Sequence, residues 1–369
     1  MKSRGTLSGT RPGLKWRFDG SFKLMMARRR CRLTLVVMVL LLLGACARPQ
    51  GKPQPVLETP LVWPPPPAPP RVRFLQSFSR PEDLGISKGF WQRVGELLGG
   101  SSTARLIRPM AVVAAGDVLY VADPGANGVH RFDLVQKRYD LIRRKGGRPL
   151  PSPVGLALGA EGEVLVADSL LAQILRIAPG TREAVPLSLE AGLKQPTALA
   201  LDPPHERLYV VDTGAHQVKV FARDGSLLFT FGRRGRGEGE FNYPVAIWQD
   251  RSEHLLITDA LNFRIQIFDG EGDFWGTFGR LGDASGDFSR PKGVATDSFG
   301  HIYVVDSLFH AVQIFNRQGE FLLSFGSQGR GPGEFWLPTG IFIDRDDTIY
   351  VADSHNQRVQ VFRYVGGKE

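Results

Sequence analysis

Cysteine is nearly absent: the 369-residue chain has two, Cys31 and Cys46, both near its start. The rest of the chain therefore has neither a disulfide framework nor a thiolate metal site. An excess of one charge sign is missing too. The formal charge is +9, but ten of the 46 basic side chains and one of the 37 acids fall within residues 1–45. The remainder has 36 of each, so it lacks the basic field that phosphate-backbone binding needs, and no nucleic-acid partner is expected. Nor is there a long apolar run. Leu33–Leu43 is roughly ten residues shorter than a comfortable membrane span.

What surrounds that run is ordered. A compact basic block, Ala27–Arg32 (ARRRCR), precedes it, and Gly44, Ala45 and Cys46 follow. A basic segment, a short apolar segment and small residues before a cut make the pattern of a signal peptide. Leu43-Gly44-Ala45-Cys46 resembles the bacterial lipobox, which implies cleavage before Cys46 and its acylation, with palmitate as the expected chain. The expectation is a signal peptide over residues 1–45, with Met25 or Met26 as alternative starts, and a lipid anchor at Cys46. An ordinary signal peptide, or an uncleaved anchor with a chance cysteine, is the alternative. Ala47 stands where lipoproteins of Gram-negative type held at the inner membrane tend to carry Asp. The resemblance thus implies an exported protein of the cell envelope, at the outer membrane rather than the inner.

Residues 46–70 hold ten prolines, among them Pro64 to Pro67. This composition favours extended polyproline II over helix or sheet, and at about 3.1 Å per residue such a tether reaches up to roughly 75 Å. Residues 71–104 are expected to supply a closing strand and a short helix. In 88–98 (KGFWQRVGELL), Phe90, Trp91, Val94, Leu97 and Leu98 fall near helical spacing, with Gln92, Arg93 and Glu96 opposite.

From residue 105 to 369 one unit recurs six times. Each opens on a proline: Pro109, Pro153, Pro196, Pro244, Pro291 and Pro338. Two positions later stands a small residue: Ala111, Gly155, Ala198, Ala246, Gly293 and Gly340. About fifteen residues after the proline an apolar run ends in aspartate: Asp123, Asp168, Asp212, Asp259, Asp306 and Asp353. Six residues further on a β-branched residue starts the next strand. Ile349-Tyr350-Val351-Ala352 and Phe321–Phe325 show the type: short, β-branched and aromatic, bounded by turn residues. Units of three or four such strands cannot bury both faces alone and close into a ring. The fold class expected is all-β, a six-bladed β-propeller. The last unit ends after three strands, so Arg73–Phe78, which is similar to Phe321–Phe325, is expected to pair beside Val359–Tyr364 and close the ring.

The repeat resembles the NHL family, whose pattern runs P-x-G, I-Y-V-A-D, N-x-R-V-Q-V-F and F-G-x-x-G. The last unit matches it through Pro338-Thr339-Gly340-Ile341, Ile349–Asp353 and Asn356–Phe362; the one before gives Phe325–Gly331. The first two units lack the F-G-x-x-G ending, which puts their outer strands in doubt, and no unit ends in the Trp-Asp of WD40 blades.

Some propellers similar to NHL are enzymes: peptidyl-glycine lyases and lactonases hold a metal in the axial channel through His and acidic groups. Here the strands that would line the channel read MAVVA, VGLAL, TALAL, VAIWQ, KGVAT and TGIFI. They contain no His, Asp or Glu, a poor metal cage, so no metal and no cofactor is expected. The repeated aspartates are read as turn residues that accept backbone hydrogen bonds. Gly232–Gly237 does not lie between a parallel strand and a helix, so it is an inter-blade turn rather than a nucleotide loop. His216, His310 and His355 fall in loops after the aspartates, where solvated histidines are the simpler reading.

Those loops vary between units while the framework repeats, and variable loops on a rigid scaffold are the usual place for recognition. The expected surface for a protein or peptide partner comprises Leu261, Asn262, Phe263, Arg264, Phe309, His310, His355, Asn356 and Arg358, with Leu170, Leu171 and Leu308 adding apolar area. The expected function is a membrane-anchored binding or scaffold module, not an enzyme. The alternative is a hydrolase or lyase acting on an exported substrate.

Overall fold

In the computed structural model, residues 60–87, 104–159 and 161–366 are described. The leader, Cys46 and the helix expected at 88–98 lie outside them.

The described residues form six antiparallel blades around one axis. Blade three runs from the axis outward as Pro196–Asp202, Arg207–Asp212, Gln217–Ala222 and Leu227–Phe231. Blades four and five repeat that order from Pro244–Gln249 to Phe274–Phe278 and from Pro291–Thr296 to Phe321–Phe325. The innermost strand of each blade neighbours that of the next, and Ile341–Ile343 of blade six meets Ala111–Ala115 of blade one, so the ring is closed.

The small residue two positions after each proline has a steric cause. A Cβ on Gly340 would stand 2.5 Å from the Met110 carbonyl oxygen of blade one. One on Gly293 would stand 2.9 Å from that of Thr339 in blade six, and one on Gly155 would collide with that of Thr197 in blade three. Neighbouring inner strands approach so closely here that at these three positions only glycine fits. Further out the blades separate enough for large side chains. Tyr209, Val211 and Val220 of blade three pack against Ile247, Ile257 and Phe268 of blade four, and each such buried aromatic or aliphatic group contributes about 1.5–3 kcal/mol.

Blade six takes its outer strand from the N-terminal side. Val72–Phe78 pairs antiparallel with Arg358–Tyr364, from Val72 opposite Tyr364 to Phe78 opposite Val359, as the sequence suggested. The closure goes one strand further than expected. Val62–Trp63, inside the proline-rich stretch, pairs with Val72 and Arg73. Trp63 drives this: its ring lies 5.8 Å from those of Phe325 and Phe362, burial that an isolated tether would not obtain.

The outer strands of blades one and two are present without the F-G-x-x-G ending. Arg138–Arg144 and Glu183–Pro186 pair with each other in parallel, Glu183 opposite Arg143, joining the two blades into one eight-stranded sheet. Blades three to five instead connect through the glycine loops, each of which closes on a fully buried phenylalanine: Phe241, Phe288 or Phe335. Gly232–Gly237 is thus an inter-blade turn.

Candidate functional site

At one end of the ring each second strand ends in its aspartate, and all six are fully buried. Each carboxylate accepts backbone N–H groups from the segment leading into its own blade. Asp123 accepts from Ile107 and Arg108, Asp168 from Ser152, and Asp212 from Lys194 and Gln195. Asp259 accepts from Asn242, Asp306 from Ser289 and Arg290, and Asp353 from Trp336. Among the described residues only Asp123, Asp168 and Asp306 also accept from the backbone of their own turn, as expected; the carboxylates chiefly hold the entry segment against it. Burial pushes Asp168, Asp259 and Asp353 above the ordinary carboxylate value more than these donors pull them down. Burial acts on Asp123 in the same direction, but there His130 and the Ile107 and Arg108 amides outweigh it and the carboxyl titrates lower. The His130 Nε2 lies 3.3 Å from Asp123 Oδ2, and its Nδ1 lies 2.9 Å from the Tyr139 hydroxyl.

The residue after the aspartate links blades. Ser169 Oγ donates to the Pro196 carbonyl at 2.7 Å, Thr213 to that of Pro244 and Ser307 to that of Pro338. Blades one and four carry Pro124 and Ala260 there and lack the link.

The structure spreads the expected partner surface over two roles. Asn262 donates through Nδ2 to the Gly235 carbonyl and to Asp259. Arg264 donates to Asp259 at 2.9 Å and to the carbonyls of Gly237 and Glu240. Asn356 and Arg358 repeat this in blade six, onto Gly329, Asp353, Gly331 and Glu334. These four side chains tie the preceding blade's glycine loop. Phe263 and His310 occupy left-handed backbone, with φ of 56° and 53°. Phe263 packs on the core between blades four and five, and the Nδ1 of His310 accepts the Leu337 N–H at 3.1 Å. His216 accepts the Tyr243 N–H in the same way, so neither histidine is merely solvated. Phe309 is half-buried. His355 is exposed and stacks on Trp336, over which the Arg330 guanidinium also lies, 4.8 Å from the ring centre. The apolar groups of the expected surface that stay open are leucines: Leu170, Leu261 and Leu308 are 74, 49 and 48% exposed, each two residues after its aspartate.

Below this face the axis holds a cavity of about 460 Å³, within the usual range for small-ligand sites. Its end nearest this face is lined by the residue after the proline of each blade, Met110, Val154, Thr197, Val245, Lys292 and Thr339, and by Ser152, Ser169 and Gln195. At the other end Trp248 of blade four reaches Phe342 of blade six, with ring centres 5.8 Å apart, and its Nε1 donates to Thr296 Oγ1 of blade five. Among the described residues Lys292 is the one charged side chain lining the cavity. Burial, and then the neighbouring Arg290, hold its ammonium below the usual lysine value. Among the described residues no group of three or more His, Cys, Asp or Glu side chains is placed to hold a metal ion. The sequence put Lys292 in a channel strand but gave it no role; the signal was that it is the single charge in the six segments MAVVA, VGLAL, TALAL, VAIWQ, KGVAT and TGIFI.

The model of a family described as a 6-bladed beta-propeller matches residues 289–368. No curated protein matches the chain. Similar solved structures include virginiamycin B lyase from Staphylococcus aureus, at 16% identity and a TM-score of 0.52, covering 70% of this chain and 96% of that one. They also include an auxiliary nutrient binding protein from Bacteroides ovatus, at 15% identity and a TM-score of 0.54, covering 71% and 70%. A putative gluconolactonase is similar at 15% identity and a TM-score of 0.54, covering 71% and 91%. At such identities the likeness establishes architecture alone: this chain folds as a six-bladed β-propeller.

Proposed function

We propose that the protein is a lipid-anchored, extracytoplasmic binding module of NHL type, not an enzyme, which presents its aspartate-loop face to a protein or peptide partner. The observation that carries this is the placement of Leu170, Leu261 and Leu308. They occupy one equivalent position in three blades, on the aspartate-loop face, and stay exposed while the polar side chains around them are engaged within the fold. Exposed apolar groups on a rigid polar rim are the composition of an interface core. Anchoring through Cys46 at the outer membrane would fix that face at the envelope. The nutrient-binding likeness is compatible with a binding role, and the lyase and lactonase likenesses keep catalysis on an exported substrate as the rival.

Affinity purification of the full chain from membranes, with mass spectrometry and metal analysis of the product, separates the two. The binding reading expects a co-purifying protein at near-equal amount. Recovery of the chain alone with one bound metal ion per molecule would favour the rival.

A further inference from the structure

Lys292 is chemically isolated. Its ammonium makes no hydrogen bond and no ion pair among the described residues, and the charged neighbour that acts on it is another cation, Arg290. Lys292 is half-buried among neutral walls, and a lone cation partly withdrawn from water is costly unless something of opposite sign meets it there. The rest of the aspartate end does not supply that group. The Thr197 hydroxyl is 2.6 Å from that of Thr213, and the Thr339 hydroxyl donates to the Met110 carbonyl at 3.1 Å. Met110, Val154 and Val245 are apolar, Ser152, Ser169 and Gln195 are neutral, and among the described residues no Asp or Glu lines the cavity.

Beyond that end the walls are apolar, from Leu156 and Leu199 to Ile247, down to the Trp248–Phe342 pair. Near that pair Gln249 carries a buried amide nitrogen, Nε2, without a partner. The cavity is therefore a one-sided arrangement: a cation at the aspartate end, hydrocarbon along the length, one hydrogen-bond donor at the far end. With low-dielectric walls and no competing acid, the field of Lys292 inside the channel is far stronger than that of a surface lysine.

We infer that the axial channel is a binding site for a small carboxylate with an apolar body, its anionic head on Lys292 and its body along the inner strands towards Trp248. The site is distinct from the leucine face and stands independently of the partner reading. The lowered proton affinity of Lys292 supports it: an ammonium held below its usual value recovers its charge when an anion arrives. Binding then takes up protons at alkaline pH and weakens as the pH rises through the lysine's value.

The test uses the full mature chain and decanoate as probe, with 1-decanol as the uncharged control, by titration calorimetry. Native protein is expected to bind decanoate at one site per chain, at least about tenfold more tightly than decanol, since a charge-assisted contact is worth that factor or more. Lys292→Met is expected to weaken decanoate at least about tenfold and leave decanol unchanged; Lys292→Arg is expected to retain most of the preference. Thermal melting identifies any misfolded variant, and Lys292→Gln, closer in shape and polarity, then replaces it. No binding of decanoate by the native chain, or equal affinity in native and Lys292→Met proteins, overturns the inference. Either result leaves the leucine face untouched, because capture of a protein partner is read separately.

Discussion

Arg358 donates to the carboxylate of Asp353 at 2.8 Å, and this one pair joins three turns of blade six and its neighbour. Asp353 is fully buried and holds the Trp336 amide; Arg358 reaches the carbonyls of Arg330, Gly331 and Glu334. Arg264 and Asp259 repeat the arrangement in blade four. Removing one partner of a buried pair leaves the other uncompensated. Arg358→Ala is expected to cost about 3 kcal/mol in urea unfolding, and Arg358→Lys nearly as much, because the planar fork serves several acceptors at once. The exposed pair of Arg223 with Glu161 is the control: Arg223→Ala is expected to leave the unfolding midpoint unchanged within error, since solvent screens such a pair. Equal effects would show that the buried pair is not a structural tie.

Ring closure gives a second outcome. Phe78, on the strand contributed from the N-terminal side, is 1% exposed and its ring lies 5.4 Å from that of Phe132 in blade one. Phe78→Ala is expected to destabilise the propeller by about 3–4 kcal/mol, as for other buried aromatics. A drop under about 1 kcal/mol would mean that the closing strand is dispensable.

Backbone strain gives a third. The fourth residue after each aspartate is left-handed in all six blades: Asn127, Ala172, His216, Phe263, His310 and Gln357, with φ between 53° and 57°. Alanine has no polar group to offset the strain. Ala172→Gly is expected to stabilise by about 0.5–1 kcal/mol, where the same change in an extended strand, such as Ala157→Gly, destabilises. A loss of stability at position 172 would contradict the strain argument.

The two kinds of buried aspartate predict opposite pH behaviour. Asp123 titrates below its ordinary value in the folded state, so its ionised form stabilises the fold. That contribution is present above the unfolded value and is lost as the pH falls through the lower, folded one. Asp123→Asn is thus expected to be less stable than native at pH 7, with the gap narrowing below the ordinary value of 3.8. Asp168, Asp259 and Asp353 titrate higher when folded, so their contribution falls as the pH rises from the unfolded value through the folded one. An Asp123→Asn gap that widens in acid would reverse the sign and refute the His130 assignment.

What could be read from the sequence was whatever repeats. The glycines at 155, 293 and 340, the six aspartates and the closing strand are demands of backbone geometry, made once per blade, and so they leave a periodic trace. The same logic shows why the partner surface was harder to read. Asn262 and Arg264 recur as Asn356 and Arg358, and that recurrence was itself a sign of framework, since their donors meet carbonyls of the preceding glycine loop. Features set by a single contact left no such trace. Val62–Trp63 joins the sheet because one indole finds two phenylalanines across the ring seam, and the outer strands of blades one and two, which lack the F-G-x-x-G ending, pair with each other instead. The isolation of Lys292 depends on five neighbours at the aspartate end that only the closed ring brings together.

The binding role is tested most directly by a triple substitution on the leucine face, Leu170→Ser with Leu261→Ser and Leu308→Ser. All three side chains are substantially exposed, so the melting temperature is expected to stay within a few degrees of native. Partner recovered per molecule of the chain, measured by quantitative mass spectrometry after affinity purification from membranes, is the readout. The account predicts at least about a tenfold loss of one protein against an unchanged background, as expected when central apolar groups leave an interface. Undiminished recovery by a variant that melts like the native protein would contradict it.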